Sequence, residues 1–218
     1  GPDVSPDGRR VTYVTNHKGT TTLRIADLEV GFPEAIDSKL KRQRTLNKSR
    51  RYEQVFTPRF SPDGAQVAYS IWSKGGYRDI AITDVKSKRT RRLMRDRAQD
   101  QQPVWSPDGQ RLYFVSDRNG IANVYAYDVA SKRLRMVTNV KTGAYMPAVS
   151  ADGRTLYYEG YTSAGFDLFS MQLNYERFLE APPPPPARPD PPPEPLRTRY
   201  PVTTYNPLDS IGPTSYLA

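Results

Sequence analysis

Apolar and polar residues alternate along most of the chain in a pattern that recurs. Four stretches each carry an aliphatic residue followed two positions later by an aromatic one: Val11/Tyr13, Val67/Tyr69, Leu112/Phe114 and Leu156/Tyr158. A period of two is typical of a β-strand with one buried face. A second apolar stretch follows in every unit: Leu23–Ile25, Ile80–Ile82, Val124–Ala126 and Leu168–Ser170. The pattern therefore predicts an all-β chain of repeated antiparallel strands.

A tetrapeptide sets the register of this repeat. Ser-Pro-Asp-Gly occupies residues 5–8, 61–64 and 106–109, and Ser-Ala-Asp-Gly occupies 150–153. The spacings between successive serines are 56, 45 and 44 residues. A four-stranded propeller blade needs roughly 40–45 residues, so the first unit carries an insertion. The sequence predicts four β-propeller blades of four antiparallel strands. The last is expected to be incomplete, because Ala181 stands where Leu93 and Val137 end the outer strands before it.

The tetrapeptide has the chemistry of a tight turn. Proline presets φ, aspartate bonds nearby backbone amides, and glycine accepts a positive φ. We predict turn-forming roles for both residues of the Asp-Gly pair in every unit: Asp7, Gly8, Asp63, Gly64, Asp108, Gly109, Asp152 and Gly153. A metal-binding or catalytic role of these aspartates is the alternative, and no neighbouring residue favours it.

Candidate catalytic chemistry is sparse. The chain has no Cys, and His17 is its single histidine. We find no Gly-x-Ser-x-Gly, His-Glu-x-x-His or P-loop signature. No apolar run reaches the roughly 18–20 residues of a membrane-spanning helix. We expect no enzymatic activity within this chain, no cofactor and no metal site.

The net charge of +9 is concentrated in two clusters. One is the insertion of the first unit, and the other is the outer hairpin of the second. Inserted loops on repeat scaffolds are common interaction sites. The predicted partner-binding residues are Lys39, Lys41, Arg42, Arg44, Lys48, Arg50, Arg51, Lys88, Arg89, Arg91 and Arg92. The alternative is a solvated edge, because basic side chains on outer strands discourage edge pairing.

The segment from Pro103 to Gly120, with Pro-x-Trp-Ser-Pro-Asp-Gly followed by Ser-Asp-Arg-x-Gly, closely resembles the repeats of TolB-type propellers. The resemblance covers about residues 2–179. It implies blades of a fold that usually has six, so we expect further blades outside these four units. The same repeat occurs in Tol-system proteins, in prolyl-oligopeptidase-like enzymes and in larger envelope proteins, so it indicates fold more strongly than function.

Three regions follow from composition. Residues 1–179 are predicted to be the propeller repeats, 180–199 a Pro-rich linker and 200–218 an extended C-terminal segment. A proline run favours extended polyproline II and acts as a spacer or as a ligand for an aromatic groove. The last region resembles the junction before an outer-membrane barrel in large envelope proteins, through Tyr205, Pro207, Leu208, Pro213 and Tyr216. That resemblance implies a membrane contact only through a domain absent from this sequence.

These features predict a non-catalytic protein–protein interaction scaffold of the bacterial cell envelope, periplasmic or associated with the outer membrane, with envelope proteins as partners. One alternative is the substrate-gating propeller of a peptidase whose catalytic domain is not in this chain. Another is a binder of an anionic surface or of nucleic acid through its basic loops, although no nucleic-acid motif accompanies the charge.

Overall fold

A computed structural model describes residues 1–17, 19–28, 40–50, 52–183 and 186. Their regular structure is all-β apart from one turn of 3-10 helix, and the strands form four antiparallel sheets. The predicted all-β blade architecture is confirmed. The predicted linker from residue 184 on, residue 186 excepted, and the segment 200–218 lie outside the described residues.

Each repeat unit forms one sheet, which we call a blade. Blade 1 comprises β1 (Asp3–Val4), β2 (Arg10–His17), β3 (Thr20–Asp27) and β4 (Lys41–Lys48). Blade 2 comprises β5 (Gln54–Phe60), β6 (Gln66–Trp72), β7 (Arg78–Asp84) and β8 (Thr90–Arg92). Blade 3 comprises β9 (Gln101–Trp105), β10 (Arg111–Ser116), β11 (Asn123–Asp128) and β12 (Leu134–Met136). In these blades the strands lie side by side in chain order.

Among the described residues, blade 4 has three strands, β13 (Ala144–Val149), β14 (Thr155–Thr162) and β15 (Gly165–Gln172). The chain then forms a 3-10 turn at Tyr175–Arg177 and a two-residue strand, β16 (Leu179–Glu180). β16 does not join blade 4. It pairs antiparallel with β12 as a fifth strand of blade 3, with Met136 opposite Leu179.

The core consists of side chains packed between neighbouring blades. In blades 2 and 3, alternate residues of each middle strand face the preceding and the following blade, as a period of two requires. In blade 3, for example, Leu112 and Phe114 pack against blade 2, whereas Tyr113 faces blade 4. Three clusters result, each with fully buried residues from both blades: Leu23 and Ile25 with Val67 and Tyr69; Ile80 with Leu112, Phe114 and Tyr125; and Val124 with Ala144 and Leu156.

The inner strands of successive blades contact one another, β1 with β5, β5 with β9 and β9 with β13. β5, β9 and β13 all lose their regular pairing at the same point of the repeat. There Thr57, Gln102 and Met146 adopt left-handed φ values of 46°, 55° and 48°. Left-handed backbone is uncommon for residues other than glycine, so these bulges are a built feature of the inner strands.

Candidate functional site

The Ser-Pro-Asp-Gly segments form one repeated hydrogen-bonded turn. In blade 2, Ser61 Oγ donates to Asp63 Oδ1 at 2.5 Å, and that oxygen also accepts from the Ala65 amide at 2.9 Å. The Gly64 amide donates to the carbonyl oxygen of Ser61, and Gly64 has a φ of +66°. The bond from serine to aspartate recurs in the other blades, at Ser5–Asp7, Ser106–Asp108 and Ser150–Asp152.

These hydrogen bonds from serine all go to one carboxylate oxygen, Oδ1, of each turn aspartate. The hydrogen bond from Ser61, followed by that from the Ala65 amide, lowers the pKa of Asp63 below its ordinary value. The pKa of Asp152 is lowered in the same way by Ser150 and by the Arg154 amide. A carboxylate that accepts local hydrogen bonds is stabilised in its charged form. The geometry gives these residues a structural task within each blade.

Neighbouring turns also touch across the blade interfaces. A Cβ added to Gly109 would lie 3.7 Å from Cδ of Pro62, and one added to Gly153 would lie 3.7 Å from Cδ of Pro107. The turn glycine of one blade thus lies against the turn proline of the blade before it. Blade 4 carries Ala151 where the other turns carry proline.

The predicted basic residues lie mainly on the outer strands of blades 1 and 2. Lys39 and Arg51 fall outside the described residues. Lys41, Arg42, Arg44 and Lys48 are exposed on β4, with Arg50 just beyond it. Lys88 and Arg89 precede β8, and Arg91 and Arg92 lie on it.

These side chains differ in how they are engaged. Arg42 Nη1 lies 3.7 Å from Asp27 Oδ2 on the neighbouring strand. Within the described part of the chain, Arg44, Lys88, Arg89 and Arg91 have no acidic partner within ion-pair distance, and all four are exposed.

Arg92 is already engaged inside blade 2. Its guanidinium lies 2.6 Å from Glu53 Oε1 and 3.4 Å from Asp79 Oδ2, and it donates to Ser73 Oγ at 2.7 Å. The Asp79 side chain is fully buried, and 22% of the Arg92 side chain is exposed. A buried carboxylate needs such a partner, so the geometry gives Arg92 a role in holding blade 2 together.

A second buried ion-pair cluster joins blades 2 and 3. Arg118, from the hairpin between β10 and β11, lies 3.1 Å from Asp100 and 3.6 Å from Asp96. Its guanidinium also lies 5.2 Å from the ring centroid of Tyr125. Burial raises the pKa of Asp100 to about 7, against the opposing attraction of Arg118. Sequence analysis did not single out this cluster, because its acids precede the inner strand whereas the arginine lies in a hairpin.

Over the described residues, no helix is long and apolar enough to span a bilayer, and no group of three or more His, Cys, Asp or Glu side chains is arranged to hold a metal ion. The two charge clusters above are arginine–carboxylate pairs, which satisfy one another.

Comparisons with solved structures place this geometry among propellers. TolB from Acinetobacter baumannii matches with a TM-score of 0.64 at 20% identity, over 80% of this chain and 41% of that chain. A putative TolB from Agrobacterium tumefaciens matches with a TM-score of 0.66 at 21% identity, over 79% of this chain and 60% of that one. A puromycin hydrolase matches with a TM-score of 0.62 at 17% identity, over 78% of this chain and 26% of that one. These likenesses show the fold.

The chain spans less than two thirds of each of these proteins. At the level of sequence, the family described as the TolB beta propeller domain matches residues 1–179, which contain every described strand except the last residue of β16. The resemblance seen in the repeats is confirmed. The chain belongs to the TolB β-propeller domain family.

Proposed function

We propose that this chain is a non-catalytic protein-binding scaffold of the bacterial cell envelope, acting in the periplasm. The observation that carries the proposal is the row of exposed basic side chains on the outer edges of blades 1 and 2. We call this set the basic edge: Lys41, Arg42, Arg44, Lys48, Lys88, Arg89 and Arg91. The partner that this surface suits is a protein with an acidic patch, because opposite potentials steer association and fix orientation.

The support comes from the contrast between engaged and free charges. Arg92 and Arg118 are held by buried carboxylates, whereas Arg44 and Arg91 project into solvent with no acidic neighbour among the described residues. Isolated surface charges contribute little to folding. Arg44, Lys88, Arg89 and Arg91, which have no acidic partner among the described residues, are therefore available for binding.

The test is affinity capture from bacterial envelope extract with the tagged chain, comparing wild type with the double variant Arg44→Glu/Arg91→Glu. We expect one or more proteins to be enriched by wild type and lost with the variant, and the capture to weaken as salt rises. The matched control is Lys141→Glu/Arg154→Glu, which reverses two exposed charges on or beside blade 4. Equal capture by both variants would contradict the basic edge as the binding surface.

Two further measurements separate the alternatives. Vesicles of anionic lipid and a DNA duplex, presented to the same variants, test binding to anionic surfaces and nucleic acid. Binding to either with a steep salt dependence, together with no captured protein, would contradict the proposal. A hydrolase domain in the same polypeptide would favour a gating propeller of a peptidase instead.

A further inference from the structure

Blade 4 differs from the other blades at its outer edge. In blades 1, 2 and 3 the third strand is covered by a fourth, β4, β8 or β12. In blade 4 the third strand, β15, pairs with β14 on one side, and no described strand pairs with its other side. The next strand along the chain, β16, lies on blade 3 instead. The backbone groups along one side of an eight-residue strand are thus left without a ladder.

The register of the repeat identifies equivalent positions along the third strands. Ile80 pairs with Ser70, Val124 with Val115, and Leu168 with Glu159, at the same place in blades 2, 3 and 4. Ile80 and Val124 are 0% exposed, whereas Leu168 is 75% exposed. Phe166 and Phe169 on the same strand are 62% and 38% exposed. Ile80 and Val124 pack against the blade that follows their own, whereas no described blade follows blade 4, so one face of β15 is open as well as its edge.

One residue of β15 indicates the chemistry of a strand that would pair with this edge. The position just before Ile80, Val124 and Leu168 is Asp79 in blade 2, Asn123 in blade 3 and Asp167 in blade 4. Asp79 is fully buried and paired with Arg92 of the fourth strand β8 at 3.4 Å. Asn123 is also fully buried, and its Oδ1 accepts from Thr138 and from the Val140 amide, just after the fourth strand β12. Asp167 holds the same place but is exposed.

The composition of β15 also differs from that of the outer strands of the other blades. Strands β4 and β8, at the outer edges of blades 1 and 2, carry basic residues, a common device against unwanted edge pairing. β15 has the sequence Gly-Phe-Asp-Leu-Phe-Ser-Met-Gln and carries one acid and no basic residue. An open edge with one acid and no base suits an incoming strand that carries a basic residue.

We propose that β15 receives a fourth strand from a partner protein, added antiparallel along Gly165–Gln172. The incoming strand carries an arginine that pairs with Asp167, as Arg92 pairs with Asp79, and next to it an aliphatic residue that packs beside Leu168, as Leu93 lies beside Ile80. In blade 2, Arg92 lies opposite Ala81, and the position equivalent to Ala81 in blade 4 is Phe169. Strand addition takes affinity from main-chain hydrogen bonds and specificity from alternate side chains. This edge lies outside the basic edge, so the two proposals fail independently.

The chain itself supplies a probe for this site. A fluorescein-labelled peptide with the sequence of residues 88–94, Lys-Arg-Thr-Arg-Arg-Leu-Met, reproduces the fourth strand of blade 2. We expect fluorescence anisotropy to show saturable binding to the full chain. Asp167→Asn should weaken that binding about tenfold, the scale of one charge-assisted hydrogen bond. Hydrogen exchange should show new protection of the β15 amides when the peptide is bound.

A charge swap tests whether the contact between Asp167 and the arginine of the peptide is specific. Asp167→Arg should abolish binding of the original peptide. The same variant should bind a peptide that carries aspartate at the position of Arg92. The matched control is Glu159→Gln, which removes an exposed acid from the neighbouring strand and the opposite face of the sheet. Equal weakening by Glu159→Gln and Asp167→Asn would show general attraction to acids and overturn the proposal.

Three further outcomes would also overturn it. A peptide N-methylated at alternate amides cannot form a ladder, so its undiminished binding would exclude strand addition. If the β15 amides are already protected from exchange in the free chain and the peptide does not bind, another segment of this chain occupies the edge. If light scattering shows a dimer that Asp167→Arg dissociates, a second copy of the chain occupies the edge.

Discussion

Nη2 of Arg118 lies 3.1 Å from Oδ1 of Asp100, and both side chains are almost completely buried at the junction between blades 2 and 3. Arg118 comes from a hairpin of blade 3, whereas Asp100 ends the connection from blade 2. Asp96, on the same connection, lies 3.6 Å from the guanidinium. One cation therefore holds two carboxylates, and the second acid opposes ionisation of the first.

This arrangement predicts that Asp100 makes stability depend on pH. Burial raises its pKa to about 7 from the ordinary 3.8, so the folded chain keeps a proton that the unfolded chain releases between those values. Stability should therefore fall as pH rises from about 4 to about 7, by at most about 1.4 kcal/mol per pH unit from this group. The measurement is urea unfolding at several pH values for wild type and Asp100→Asn. If the free energy of unfolding changes with pH equally in the two proteins, Asp100 is not the source of the pH dependence.

Neighbouring arginines on β8 should respond very differently to substitution. Arg92→Met leaves the buried Asp79 carboxylate without its 3.4 Å partner and is expected to cost about 3–5 kcal/mol in the free energy of unfolding. Arg91→Met removes an exposed charge and should change stability by less than about 0.5 kcal/mol. Chemical denaturation measures both. A loss of similar size for the two variants would argue against the Arg92 cluster.

The turn aspartates should act through hydrogen bonds rather than through catalysis. Asp63→Ala removes the acceptor of Ser61 and of the Ala65 amide and should cost about 1–2 kcal/mol, whereas Asp63→Asn keeps an acceptor and should cost less. The lowered pKa of Asp63 means that its contribution is present above pH 3.8 and is lost as pH falls through the folded-state value. Unfolding curves at neutral and acidic pH test this, and an Asn variant as unstable as the Ala variant would contradict it.

The variant turn of blade 4 offers a stabilising substitution. Ala151→Pro restores the residue found in the other three turns and should raise the free energy of unfolding by about 0.4–1 kcal/mol, because it restricts the unfolded chain. Pro107→Ala is the matched reverse change, and it also loses the contact with Gly153. Thermal unfolding should shift in opposite directions for the two variants. A shift in the same direction would show that the turns are not equivalent.

The sequence predicted the blades because their signals are local. The turn tetrapeptide and the period-two pattern of β6 or β10 depend on neighbouring residues, and they fix strand order once the repeat is recognised. The expectation of an incomplete fourth blade rested on the register at Ala181. The pairing of β16 with β12 could not be predicted, because Leu179–Glu180 carries no periodic pattern and β12 lies about forty residues earlier.

The different roles of Arg91 and Arg92 could not be predicted from the sequence either. Strand periodicity places the two side chains on opposite faces, but it does not say which face meets Glu53 and Asp79. The exposure of the apolar residues on β15 could not be predicted either. Phe166, Leu168 and Phe169 have the composition of a buried strand, and no described strand or blade covers them.

The pairing of β16 with β12 has a mechanical consequence. Tension applied to the chain beyond Ala181 would reach blade 3 through the β12–β16 pairs and the buried ring of Phe178 before it reached β15. Blade 4 is thereby shielded from a pull at the C-terminal side, and a load on the Pro-rich region would first peel two residue pairs from the outside of blade 3.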